Sequence, residues 1–318
     1  MPEVIALGEI LVDLIPFEVG DYTKVKGFSL NFGGAPFNYA IAVARLGHSV
    51  GAICCVGDDP FGDFLLNVLR KEGVDVSRVK VKRARTSLAF VVRQPRGGRD
   101  FFFYRRPWVT TADSMLEPKD VDEDYIRSAR ILHLSGVILS HEPARSAAFK
   151  AMEVAREAGV IVSFDPNVRL DLWESREELL RVYDEVFKRC DIALVSHDEA
   201  DVLFGTTDPR EVASKVRERY NPRYVAVKLG PRGAYVVSRE EVELEPFDVE
   251  VVDITGAGDA WAAGFEVMLL EGQSLRDCVL IANAVASIAV TRVGAITALP
   301  TREELRSFLR KWDVKVEV

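Results

Sequence analysis

The segment Asp253-Ile254-Thr255-Gly256-Ala257-Gly258-Asp259-Ala260-Trp261 sets a short glycine-containing turn directly against a carboxylate. Gly256 and Gly258 let the backbone take positive φ and approach a ligand closely. From Asp259 to Phe265 the chain reads as the first turns of an apolar helix. Its N-terminus would aim free N–H groups and the positive end of its dipole at an anion. A carboxylate in that first turn stands beside the anion without occupying its place. The chemistry is that of a phosphate held next to a base, and the plain alternative is a capped helix after a glycine loop.

A second segment, Asn31-Phe32-Gly33-Gly34-Ala35-Pro36-Phe37-Asn38-Tyr39-Ala40, places a glycine pair and a proline ahead of an apolar helix that stops at Gly47. Paired glycines admit a ligand hydroxyl to the backbone, and Asn38 offers both a donor and acceptors.

The elements that must position these residues alternate along the chain. Val4 to Leu7, Val50 to Cys55, Ile131 to Leu134, Ile161 to Phe164, Ile192 to Val195, Tyr224 to Lys228 and Ala234 to Val237 read as strands. Amphipathic helices such as Ala144 to Ala158 and Glu177 to Arg189 lie between them. The fold class this predicts is α/β, with a doubly wound, mainly parallel sheet flanked by helices. Residues 11 to 32 and 86 to 110 break the rhythm: they are rich in β-branched and aromatic residues, contain the Arg96-Gly97-Gly98-Arg99 turn, and predict a small extra β-sheet. The core is thus expected from residues 1–10, 33–85 and 111–318.

A net charge of −8, with 41 basic and 49 acidic residues, argues against a nucleic-acid surface, so anion binding must be local. No apolar run approaches the roughly 20 residues of a membrane span, and Met1-Pro2-Glu3 does not open a signal peptide, so a soluble, cytoplasmic protein is expected. Cys54, Cys55, Cys190 and Cys278 have no metal-ligand spacing and read as small buried hydrophobes. With only His48, His133, His141 and His197, a histidine-rich metal site or a serine triad is not expected.

The two glycine segments together resemble the two signatures of the ribokinase-like, phosphofructokinase-B type carbohydrate kinases. Gly8 to Asp13, Gly57-Asp58-Asp59-Pro60-Phe61-Gly62 and Ala289 to Ala295 fit the same family, so the resemblance spans nearly the whole chain. It implies that Asp259 is the base for a sugar hydroxyl and that the Gly256, Ala257 and Gly258 amides form an anion hole. Asp13, Gly33, Gly34 and Asn38 would hold the sugar. The small sheet becomes a lid over the sugar, pairing with the lid of a second subunit in a homodimer, with an apolar face around Phe101, Phe102 and Phe103 as its motive.

On the nucleotide side the resemblance implies ATP at Lys228, Gly230, Gly233 and Gly258, with Asn283 at the adenine edge. Mg2+ would arrive with ATP, its waters organised by Glu199 in Ser196-His197-Asp198-Glu199, where Ser196 replaces the family's Asn. Asp253, the carbonyls of Thr255, Ala289 and Arg292, and Gly294 would form a monovalent cation site, with K+ dependence left open by Ala298.

Phe103-Tyr104-Arg105-Arg106 and Phe164-Asp165-Pro166-Asn167-Val168-Arg169 resemble the fructokinase and 2-keto-3-deoxygluconate kinase branches more than ribokinase, whose sugar-binding Glu is replaced here by Ser135-Gly136. Arg105 and Arg169 would fork onto a carboxylate or bond the hydroxyls of a neutral ketose. The activity expected is ATP-dependent phosphorylation of a primary hydroxyl, D-fructose to fructose 6-phosphate first. The rivals are 2-keto-3-deoxygluconate kinase, a nucleoside kinase, and a non-catalytic sugar or nucleotide sensor.

Overall fold

Strands buried on both faces read as near-continuous apolar runs, and the central strands of this protein do. A computed structural model describes residues 1–93, 99–316 and 318, so the centre of the Arg96-Gly97-Gly98-Arg99 turn lies outside the described residues. Six adjacent parallel strands make up most of the main sheet, in the order Tyr224–Lys228, Ile192–Ser196, Ile161–Asp165, Ile131–Ser135, Val4–Leu7 and, at one edge, Val50–Ile53. Ala234–Val237 and Glu241–Leu244 extend one edge in antiparallel fashion.

Alternate residues of each strand feed two cores. Val4 and Ala6 pack under the helices Ala35–Arg45, Ala257–Leu270 and Leu275–Ala289, while Ile5 and Leu7 face Ala144–Glu157 and Arg176–Phe187 on the other side. The expected strand from Val50 to Cys55 is in fact two. The Cys54 carbonyl accepts from Lys80 N, so the chain changes partner there and Cys55–Gly57 pairs with Lys80–Lys82. All four cysteines are buried free thiols.

The interrupting segments form a separate four-stranded sheet in the order Phe28–Gly33, Leu11–Pro16, Ser87–Arg93 and Arg99–Tyr104. Its edges differ slightly from those expected: Gly33 ends one of its strands, and after Tyr104 the chain turns, with Trp108 N and Val109 N both donating to the Arg105 carbonyl. Register assigns the two faces. Leu30, Leu14, Phe90 and Phe102 form one cross-strand row, and Asn31, Asp13, Ala89 and Phe103 form a row on the opposite face. Of the three consecutive phenylalanines only Phe102 is exposed, beside Leu30 and Tyr104, because the period of a strand sends Phe101 and Phe103 to the Asp13 face. Among the described residues no helix is long and apolar enough to cross a membrane.

Candidate active site

Ser135, Asp165, Ser196 and Lys228 each end a parallel strand, and they line the carboxyl edge of the sheet, where open α/β sheets bind ligands. Two helices point their N-termini at this edge. Ala35–Arg45 starts from Gly34 at φ 115° and Ala257–Leu270 from Gly256 at φ 75°, and neither has a side-chain cap. By contrast Pro60–Lys71 is capped by Asp59 and Leu275–Ala289 by Ser274, while Ala144–Glu157, which starts from Pro143, also lacks a side-chain cap. An uncapped start leaves N–H groups for a ligand.

At the second of these helices Ala257 N donates to the Ile254 carbonyl at 3.2 Å. Its amide is therefore already engaged, which weakens its expected part in an anion hole. Helix geometry leaves the Gly258 and Asp259 N–H groups without intrahelical partners, and those are the donors this end offers. Gly258 is also where the loop meets a cation: a Cβ on it would lie 3.5 Å from Lys228 Nζ.

Asp259 is half-buried, and Asn38 Nδ2 donates to its Oδ2 at 2.9 Å. Burial raises its carboxyl to about 6; the Asn38 bond opposes the rise, Asp165 adds to it, and Lys228 and His133 oppose it. A carboxyl held there is a competent base near neutral pH. Asn38 thus meets the base directly, a partner the sequence did not suggest, while its own Oδ1 is buried without a hydrogen bond.

Lys228 lies between the two parts of the site. Its ammonium pairs with Asp165, and although burial alone would lower its pKa, Asp165, Glu199 and Asp259 hold it above the ordinary value. Glu199 spends both oxygens on backbone, accepting from Ser196 N and Val168 N at 2.9 Å each. That clamp ties the Asp165 loop to the helix His197–Phe204 and restrains any water-organising role. Burial, followed by repulsion from Asp165, raises the Glu199 carboxyl to about 7.

On the sugar side Gly33 and Gly34 are required by close approach. A Cβ on Gly33 would meet the Asp13 carboxylate, and one on Gly34 would lie 2.6 Å from the Glu9 carbonyl. Asp13 lies past the first strand, inside Leu11–Pro16, which carries it on the inner row of the small sheet. Arg105 departs from expectation. It is buried, donates to Asp113 at 3.0 Å and to Ser140 at 3.1 Å, and so neither bridges at the surface nor stands free for a carboxylate substrate. Arg169 is half-buried, donates to its neighbour's carbonyl at 2.8 Å, and shares with Arg105 an attraction for Asp171.

Two nucleotide-side expectations change. Asn283 is buried, accepts from Trp261 Nε1 at 2.8 Å and donates to the carbonyls of Leu244 and Glu245, so its amide is consumed joining helix to sheet and does not present an adenine-binding edge. Gly233 is pressed against the Leu244 backbone, a packing requirement, whereas Gly230 is open. Asp253 draws the two loops of the expected cation site together, accepting from Thr255 N at 3.0 Å, Thr255 Oγ1 at 2.7 Å and Gly294 N at 2.8 Å. The Arg292 side chain pairs with Glu304 at 2.7 Å, and Arg292 N donates to the Ala289 carbonyl at 3.4 Å.

Sequence reasoning missed Asp165 and Glu9. Asp165 sat in view in the Asp165-Pro166-Asn167 run, but only Lys228 gives it a role, and that contact bridges 63 positions. Glu9 is buried, accepts from Ser135 Oγ at 3.1 Å, keeps Oε2 without a partner, and is raised by burial to about 7. The only local signal was its place just past the first strand.

A model of the pfkB family carbohydrate kinases matches residues 1–302. Fructokinase-2 of Solanum lycopersicum is 36% identical over 317 residues, covering 96% of each chain. The fructokinase of Xylella fastidiosa, solved with bound ATP, is 29% identical with a TM-score of 0.89 over 98% of this chain and 100% of its own. A double mutant of the Vibrio cholerae O395 fructokinase, solved with fructose, ADP and a potassium ion, is 32% identical with a TM-score of 0.85 over 97% of this chain and 98% of its own. With a family model across nearly its whole length and full-length relatives above a third identity, the chain belongs to the pfkB family of carbohydrate kinases.

Proposed function

We propose that this kinase transfers the γ-phosphoryl group of ATP to the primary 6-hydroxyl of D-fructose, giving fructose 6-phosphate. The observation that carries the reading is the half-buried Asp259 carboxyl, raised to about 6 by desolvation, at the uncapped start of a helix and beside the Lys228 ammonium. A base and a positive anion site within one helical turn suit phosphoryl transfer, which asks for positioning and charge neutralisation more than covalent chemistry. Fructose as the acceptor rests on the fructokinase relatives and on Arg105, whose guanidinium is already committed to Asp113 and so favours a neutral ketose over a sugar acid.

In this reading Asp259 removes the proton of the sugar's primary hydroxyl as that oxygen attacks phosphorus. Asn38 fixes the carboxylate's direction. The Gly258 and Asp259 amides and Lys228 take up the charge on the migrating group. Asp13, Gly33 and Gly34 bind the other hydroxyls, with Arg169 at the rim, and Gly230 lies against the nucleotide. Mg2+ arriving with ATP would neutralise phosphate charge. Glu199 holds the loop that would face its waters, and the loops of Asp253, Thr255, Ala289, Arg292 and Gly294 are those that would hold K+.

The small sheet acts as the lid. Its outer face, where Leu30, Phe102 and Tyr104 are exposed around the half-buried Phe90, is the surface through which two cytoplasmic copies pair, because exposed apolar side chains of this kind are best covered by their like. An ADP-release assay with ATP and Mg2+ over a panel of sugars tests the assignment: fructose gives the highest kcat/KM, and turnover of a different sugar at a higher value overturns it.

A further inference from the structure

Behind the site lies a buried carboxylate that the proposed mechanism does not use. Glu266 is fully buried on the helix that carries Asp259, two turns further along and so on nearly the same face. Tyr39 Oη donates to its Oε2 at 2.6 Å, Ser163 Oγ donates to its Oε1 at 2.6 Å, and His133 Nδ1 lies 3.2 Å from Oε1. The Tyr39 and His133 rings stack at 3.7 Å, with 9° between their planes. A buried polar side chain of this kind adds little stability over a well-packed apolar one, so its use is more readily sought in specifying an arrangement.

The arrangement it specifies belongs to the site. Tyr39 follows Asn38 on Ala35–Arg45, so two polar pairs join the same two helices: Asn38 to Asp259 and Tyr39 to Glu266. His133 and Ser163 are paired neighbours in the sheet, and Ser135 and Asp165 are paired one step nearer its carboxyl edge. The Glu266 cluster is therefore a polar layer directly beneath the layer that faces substrate. It is also electrically in touch with the base, since His133 acts on Asp259 to favour its charged form.

We propose that Glu266 is a positioning residue for phosphoryl transfer: through Tyr39 it fixes the helix that presents Asn38, and through its contact with His133 Nδ1 it holds in place the ring that acts on Asp259. The proposal rests on the reading of Asp259 as the base. The groups that face Asp259 are Asn38 from its helix and Asp165, Lys228 and His133 from three strands; those that face Glu266 are Tyr39, His133 and Ser163.

The test is a comparison of Glu266→Gln, Tyr39→Phe and His133→Gln with the unaltered enzyme. Glu266→Gln lowers kcat about ten- to a hundredfold with the KM for fructose nearly unchanged, the loss expected when a reacting group is slightly misplaced. Tyr39→Phe gives a smaller loss of the same kind and serves if Glu266→Gln does not fold. In His133→Gln and Glu266→Gln the acid limb of the kcat/KM profile moves to higher pH, as Asp259 loses the influence of the His133 ring that opposes the effect of burial.

A lowered melting temperature with kcat and the acid limb both unchanged makes the cluster a packing feature only and overturns the proposal. Titration of the 13C-labelled Asp259 carboxyl reads the same coupling without any sugar. A midpoint that rises in His133→Gln supports it even where fructose proves not to be the substrate, and a midpoint that stays fixed overturns it.

Discussion

Asn38 Nδ2 lies 2.9 Å from Asp259 Oδ2, a hydrogen bond between residues 221 positions apart that joins the two glycine segments into one site. Each segment starts an uncapped helix, and the bond ties the two helix starts together. Asn38→Ala removes the donor that opposes the effect of burial on Asp259. The acid limb of kcat/KM then moves above its place in the unaltered enzyme and kcat falls by about ten- to a hundredfold. A pH–rate profile of the variant checks both.

Asp259→Asn keeps the shape of the site and removes the base. It lowers kcat by about a hundredfold or more while the sugar's Kd changes little, as separate turnover and calorimetric measurements should show. Near-normal turnover would take the role of base away from Asp259.

The pH dependence follows from the carboxyl raised to about 6 by burial. The base acts when deprotonated, so kcat/KM is level above that pH and declines tenfold per unit below it. Rates measured from pH 4.5 to 8 in buffers of constant ionic strength locate the bend, and a bend near the ordinary carboxylate range would mean that Asp259 is not desolvated in the working enzyme.

Asp165 and Lys228 form a buried ion pair beside the anion site. Lys228→Met strands Asp165 and costs about 3–5 kcal/mol of stability. The same change lowers kcat by roughly a hundredfold through the lost cation. Changing both, Asp165→Asn with Lys228→Thr, recovers most of the stability but not the rate. Denaturant melts and turnover numbers on the two variants separate these effects.

Arg105→Ala acts on folding rather than recognition, because Arg105 and Asp113 are a buried pair. A loss of about 3–5 kcal/mol in urea unfolding is expected. A variant that folds normally but loses only sugar affinity would return Arg105 to the substrate.

The main sheet was legible because parallel strands buried on both faces leave apolar runs that nothing else in the chain imitates; Tyr224–Lys228 and Ala234–Val237 were read to the residue. Glu241–Leu244 escaped because an edge strand alternates charge with apolar residues and resembles a surface turn. The helix start at Gly256, with Asp259 in its first turn, was legible from local backbone chemistry. What was hidden was partnership. Nothing local in the sequence tells that Lys228 meets Asp165, that Arg105 is spent on Asp113, or that the Asn283 amide is consumed by Trp261 and two carbonyls. Such pairings are decided by how distant elements pack, and they decide which side chains remain free for a ligand.

The central claim is that Asp259, at the helix start it shares with Gly258, activates the primary hydroxyl of fructose. The most direct test incubates the enzyme and Asp259→Asn with ATP, Mg2+ and 13C-labelled fructose and identifies the product by phosphorus and carbon NMR. The account predicts fructose 6-phosphate from the unaltered enzyme and at least about a hundredfold less from the variant. Phosphorylation at another position, or equal yields from the two proteins, would contradict it.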